Sequence, residues 1–348
     1  MACSPDVVIR HLLILLIIAW HAPSMGASGI SFSWQTSAQQ QDSVVPQAAI
    51  DPWRLGALTT VGVGAFTVGH GWLNNLWWKG APADFHVNVQ QDWSYALGAD
   101  KVGHAYFAAT SATVIAGSLR WSGLDTASSL WWGSSIAMAY QTYNEIRDGF
   151  SQNYGFSPGD MAGNLLGAAW PLAQHYVPEL KAITFQISFY PSEPFRNGFY
   201  NAIIDDYEST THWLSVDVHQ LLPQAAQEWY PPWINLALGH SVRGLVGSST
   251  PQHVFVLSLD WNLKRLPFLP DWLRHTFEYL HMYHLPAPAV EITPNVRWVG
   301  LRFYRRSVGK PKWREAEAEG SRSGGKPKRR ETRYARGKPK RREARYAR

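Results

Sequence analysis

The chain contains one cysteine in 348 residues, Cys3. It lies ahead of the first apolar stretch, so an exported and processed chain would carry no thiol. That excludes disulfides and thiolate metal sites. Charge is scarce as well: Asp, Glu, Lys and Arg make up 17% of the residues. No predicted helix carries the Lys- and Glu-rich face of an ordinary soluble bundle. A phosphate loop, a His-Glu-x-x-His pair and a recognisable nucleophile motif are all missing, so no familiar chemistry is announced.

What the chain has in quantity is aromatic surface, 18 Trp among it, which suits a membrane-associated or interfacial protein. The formal charge of +6 conceals two unlike parts. Residues 305–348 hold 18 Lys and Arg against 5 Asp and Glu, and the remainder holds 14 against 21. An acidic body therefore precedes a basic tail. In that tail, Gly325 to Arg336 recurs almost unchanged as Gly337 to Arg348. Such a segment can bury no core, and disorder is expected over 307–348. Its charge fits anionic lipid or another acidic polymer; nucleic acid is not expected of an exported chain.

Residues 1–27 have the form of an export signal. Arg10 is followed by the apolar run Leu12 to Trp20, and Ser24-Met25-Gly26 offers a small-x-small cleavage site. The Ser- and Gln-rich stretch 28–50 reads as a linker. A helical domain is expected over 51–178, with helices at about 55–78, 100–121, 126–147 and 158–176. The first is long enough, at roughly 24 residues, to cross a bilayer with some tilt. Small residues such as Ala108, Ala112, Ser134, Gly163 and Gly167 recur along the others and allow close helix approach. A membrane-embedded bundle is the expectation. From 179 to 306 the period changes to two, with strands near 183–189, 212–219, 234–241, 254–261 and 297–304, interrupted by a helix at 270–283. The fold class is thus α+β: a four-helix bundle, an antiparallel β-rich domain packed on it, and the basic tail.

Polar residues gather where these helices begin and end. Ser157-Pro158-Gly159-Asp160 resembles a capping box, the Ser157 hydroxyl accepting from an early N–H. Asp160 and Asn164 share a helix face; Lys101 and His104 sit within one turn of the helix that Asp100 could cap. If the helices alternate up and down, Asp100, Lys101, His104, Glu145, Asp148, Ser157, Asp160 and Asn164 meet at one end. His104, Glu145 and Asp160 could hold a divalent cation, hard oxygens plus one imidazole suiting Mn²⁺, Mg²⁺ or Zn²⁺. They could equally run acid/base chemistry, or serve as a clasp in which Lys101 pairs with Glu145 or Asp160. The acidic run Asp205-Asp206-Tyr207-Glu208 reads as a solvated turn, and His212, His219, His240 and His253 as interfacial or surface residues.

Asp100-Lys101-x-x-His104, Glu145 and Ser157-x-x-Asp160-x-x-x-Asn164-x-x-Gly167, in that order, resemble the YfiM-type family of predicted periplasmic lipoproteins, a domain of unknown function. More distantly they are similar to VanZ-like membrane proteins. The resemblance covers about residues 50–177 and implies an exported, periplasm-facing envelope protein without implying a reaction. Cys3 does not stand where a lipidation site would. Two functions follow as expectations: binding of a lipid headgroup, glycan carrier or ion in envelope maintenance, or metal-assisted hydrolysis or transfer on an envelope lipid. Membrane lipid is the expected partner in both.

Overall fold

Glycine and alanine set the distances between the helices. In the computed structural model, which describes residues 49–246 and 250–301, helix α2 (Ala99–Trp121) is flanked by α3 (Thr126–Gly149) and α4 (Pro158–Tyr176). A Cβ at Gly163 would lie 2.6 Å from the Lys101 carbonyl, and one at Gly167 would collide with that of Ala105. On the other side, a Cβ at Gly133 would stand 2.7 Å from the Ala112 carbonyl. The facing positions Ala105, Ala108, Ala109, Ala112 and Ala116 are all buried. Backbones this close hold the first turns of α2 and α4 side by side, and that contact builds the polar cluster described below.

Helix α1 (Pro52–Leu76) starts on Asp51, whose side chain accepts from the amides of Trp53 and Arg54, with Pro52 in the first turn. It is fastened at both ends. Arg54 donates to the Trp121 carbonyl, and near the other end Tyr143 bonds His70 and Arg147 bonds Asn74. Between these anchors Val61, Val63 and Val68 remain exposed. The expected crossing of a bilayer by this helix gains no support: among the described residues no helix is long and apolar enough to cross a membrane. Gly, Thr, His70 and the two asparagines dilute the run that its length had suggested.

The sheet is a six-stranded antiparallel meander, β1 (Ile183–Phe189), β2 (Thr210–Val216), β3 (Ile234–Arg243), β4 (Gln252–Trp261), β5 (Pro288–Glu291) and β6 (Arg297–Leu301), each paired with the next. Helix α5 (Asp271–Leu280) lies between β4 and β5. The free edge of β1 is bridged to Tyr283, in the segment leading to β5, so the sheet curls back upon itself. Strand β5, with four residues beginning at a proline, is too short to show a period, and it was not expected. The described helices and sheet fall in one compact unit. The export signal, most of the linker, the far end of the last predicted strand and the basic tail lie outside the described residues.

On β3 and β4 the larger apolar side chains stand on the exposed face, while the inner face mixes small apolar and polar residues. Asn235, Ala237, Gly239 and Ser241 of β3 are buried, whereas Leu236 and Leu238 between them are exposed. On β4, Val254, Val256, Ser258 and Asp260 point inward, and Phe255 and Leu257 outward. Inside, Gln186 and Ser215 both donate to Asp260 Oδ2, at 3.0 and 2.6 Å, and Trp213 stacks on His284 with ring centroids 3.8 Å apart. Burial pushes the Asp260 carboxyl above its ordinary range despite these donors.

Candidate functional site

Lys101 is the hub. Its ammonium lies 2.7 Å from Asp160 Oδ1, 2.9 Å from Asp92 Oδ1 and 3.1 Å from Asp100 Oδ2, with the Ser157 hydroxyl at 3.4 Å. All these residues are buried. The three carboxylates arrive from three places: Asp100 from the first turn of α2, Asp160 from the first turn of α4, and Asp92 from the connection ahead of α2. Helix α4 begins as its sequence predicts, Ser157 Oγ accepting from the Asp160 amide at 2.9 Å. The start of α2 does not. Its cap position is Gly98, in the left-handed region, and Asp100 is turned to Lys101 instead of capping.

Asp92 ties this cluster to the loop. It accepts from Ser157 Oγ at 2.5 Å and from the Gly159 amide at 2.7 Å, a charge-assisted pair at a helix N-terminus. Burial acts to raise its pKa, but Ser157, Lys101 and Gly159 outweigh it and hold the carboxyl below its usual range. Asp100 is likewise lowered, burial being overcome by His104, Lys101 and the Tyr207 hydroxyl, which donates to Asp100 Oδ1 at 2.5 Å. For Lys101 burial opposes the charge, yet Asp100, Asp160 and Asp92 raise its pKa.

His104 forms the outer wall and is the most exposed of the group. Its Nδ1 is 3.0 Å from Asn164 Oδ1, a bond that fixes the orientation of the ring. Nε2 is turned to Asp100 Oδ1 and Asp160 Oδ1, each 3.7 Å away. Asp100, His104 and Asp160 can each offer one ligand atom, all within 4.8 Å of one another. The expected metal set named Glu145 in place of Asp100. Glu145 instead lies on the Nδ1 side of the ring, with Oε1 3.7 Å from Nδ1, and accepts the Ser157 amide at 3.2 Å through Oε2.

Glu145 is 1% exposed. Burial, then the charges of Asp160 and Asp148, push its carboxyl to about 9, so it is protonated at neutral pH. Asp148, raised to about 7 chiefly by burial, turns away from Lys101 and accepts Trp78 Nε1 at 2.6 Å. Asp160 is raised by burial and Asp100 against the pull of His104 and Lys101. The surplus of buried negative charge is thus met by one ammonium and by protons.

Of the candidate residues, the structure gathers Asp100, Lys101, His104, Glu145, Ser157, Asp160 and Asn164 in direct contact, with Asp148 behind them. Sequence reasoning missed Asp92 and Tyr207. Asp92 sits in a loop with no period to mark it, and Tyr207 comes from the sheet side of the chain. The acidic run around Tyr207 is not a solvated turn. Asp205 accepts Trp77 Nε1, Asp206 is buried and accepts the Ser192 amide, and Glu208 accepts the amides of Leu245 and Val246. Nor is His212 a surface residue. It is buried against Gly103 of α2, and burial lowers its pKa to about 4.

Residues 90–174 match the model of a family described as predicted periplasmic lipoprotein (DUF2279). That span carries Asp92, Asp100, Lys101, His104, Glu145, Ser157, Asp160 and Asn164, and leaves out Tyr207 and the sheet. The resemblance to VanZ-like proteins gains no support from this match. No curated protein and no solved structure matches the chain.

Proposed function

We propose that this is a membrane-associated protein of the cell envelope, facing the periplasm, that binds a divalent cation through Asp100, His104 and Asp160. One observation carries the reading: an imidazole whose Nδ1 is held by Asn164 turns Nε2 between two carboxylates. Metal-ligating histidines are oriented in this way by a partner on the other ring nitrogen. Two hard oxygens and one imidazole suit Mn²⁺, Mg²⁺ or Zn²⁺. Such an ion could anchor a phosphate-bearing headgroup or glycan carrier. In the enzymatic form of the same reading it would polarise an ester or phosphate of an envelope lipid, with protonated Glu145 beside the imidazole as a proton source.

A second reading is favoured by Lys101, which already engages three carboxylates at 2.7 to 3.1 Å. In that reading the cluster is a clasp between the helix ends and takes no ligand. Elemental analysis and calorimetry with Mn²⁺ and Zn²⁺ on the purified chain separate the two. Stoichiometric metal that is lost in both His104→Ala and Asp160→Ala, with the fold retained, supports the cation site. No metal in the wild type, with both variants unfolding, supports the clasp.

A further inference from the structure

The register of the sheet aligns one outward row across all six strands: Phe185, Leu214, Leu238, Leu257, Val290 and Trp298, each opposite the next. At the β1 end the row is covered, Phe185 packing on Trp170 of α4 with ring centroids 4.9 Å apart. Towards β6 no described residue covers it. Leu238 and Leu257 are each 47% exposed and Trp298 68%. Leu236 and Phe255 widen the exposed patch on β3 and β4. No Asp, Glu, Lys or Arg occupies an outward position on β2, β3 or β4; Asn235, Arg243 and Asp260 stand in the opposite register.

From this arrangement we infer that the outward face of β3 to β6 seats in the surface of an anionic lipid bilayer. Strands in contact with lipid alternate apolar-out and polar-in, the reverse of a sheet that faces water. Tryptophan borders the patch at Trp261, the last residue of β4, and at Trp298 on β6, as at a membrane interface. Charge supplies the choice of lipid. Beyond Leu301, where β6 ends, residues 305–348 carry 18 Lys and Arg against 5 acids. Basic segments of this kind are drawn to anionic headgroups, each cation near the surface contributing about 1 kcal/mol. The inference rests on the envelope assignment proposed above and is independent of the cation site.

Flotation of the full chain with phosphatidylcholine vesicles, with and without phosphatidylglycerol, tests it. The wild type is expected to float, and more strongly with phosphatidylglycerol. The Leu238→Glu/Leu257→Glu variant is expected to bind about tenfold more weakly or worse, with unchanged circular dichroism and melting temperature. A double variant that floats like the wild type overturns this face while leaving membrane association standing. A wild type that floats with neither vesicle overturns both. A lipid-free wild type that is dimeric, and that the double substitution renders monomeric, would mean that a second copy covers the face.

Discussion

Lys101 Nζ and Asp160 Oδ1 stand 2.7 Å apart on two helices whose approach is set by Gly163 and Gly167. Asp160 Oδ1 is shared between this ammonium and the side of the cluster that His104 Nε2 faces. The clasp and the cation site therefore differ in whether a second cation joins Lys101 at that oxygen.

Replacing Lys101 by Met leaves Asp92, Asp100 and Asp160 without their shared counter-charge. Removing one partner of a buried ion pair costs about 3–5 kcal/mol, and urea unfolding of Lys101→Met should show a loss of that order. Adding Mn²⁺ should restore part of the loss if Asp100, His104 and Asp160 hold a cation. A denaturation midpoint that does not respond to Mn²⁺ favours the clasp.

Gly167→Ala should destabilise, because its Cβ meets the Ala105 backbone and neither helix can yield without moving the cluster. Overpacking of this kind costs about 1–3 kcal/mol. Gly62→Ala on α1, where nothing lies within 4 Å of the new Cβ, should be neutral or stabilise by about 0.5–1 kcal/mol. Chemical denaturation of the two variants side by side gives the contrast; equal effects would contradict the packing described.

Tyr207→Phe removes the hydroxyl that donates to Asp100. A hydrogen bond to a charged group is worth about 1.5–3 kcal/mol, and the variant should lose stability in that range. Because Tyr207 lies outside the matched family span, the same change reports whether the sheet side of the chain steadies the cluster. A variant as stable as the wild type would show that it does not.

The buried histidines should each contribute less stability as the solution is acidified. Burial, aided by Lys264 and His284, lowers the pKa of His281 to about 3, well below the ordinary value of about 6.5 for an unfolded chain. Between these values the unfolded state binds the extra proton. The contribution of such a group is therefore full above about pH 6.5 and falls as pH drops toward its folded value, by up to about 1.4 kcal/mol per pH unit. His212, lowered to about 4, acts with the same sign. Glu145 and Asp148, whose carboxyls are raised, act with the opposite sign over the same range, so the histidine share is read by comparison: the unfolding free energy of the wild type minus that of His281→Asn should decline from pH 7 to 4 with a slope of about one proton.

Much of this molecule could be read from the order of its residues. Apolar period and small-residue faces marked the four helices, Ser157 marked the start of α4, and period two marked five of the six strands. The Asp-Lys-His, Glu and Ser-Asp-Asn order pointed to a shared helix end, because short connections force neighbouring helices to alternate. Local chemistry decides such features, and local chemistry is what a sequence displays. Three things came only with the tertiary structure. Asp92 joined the cluster from a loop, and Tyr207 from the sheet side, since contacts between distant segments leave no periodic trace. Asp100 stands inside the first turn of α2, which begins at Ala99, and so pairs with Lys101 instead of capping. Alternation along the strands also shows that two faces differ without telling which is inside, and it was the curl of the sheet over Gln186, Ser215 and Asp260 that turned the leucines outward.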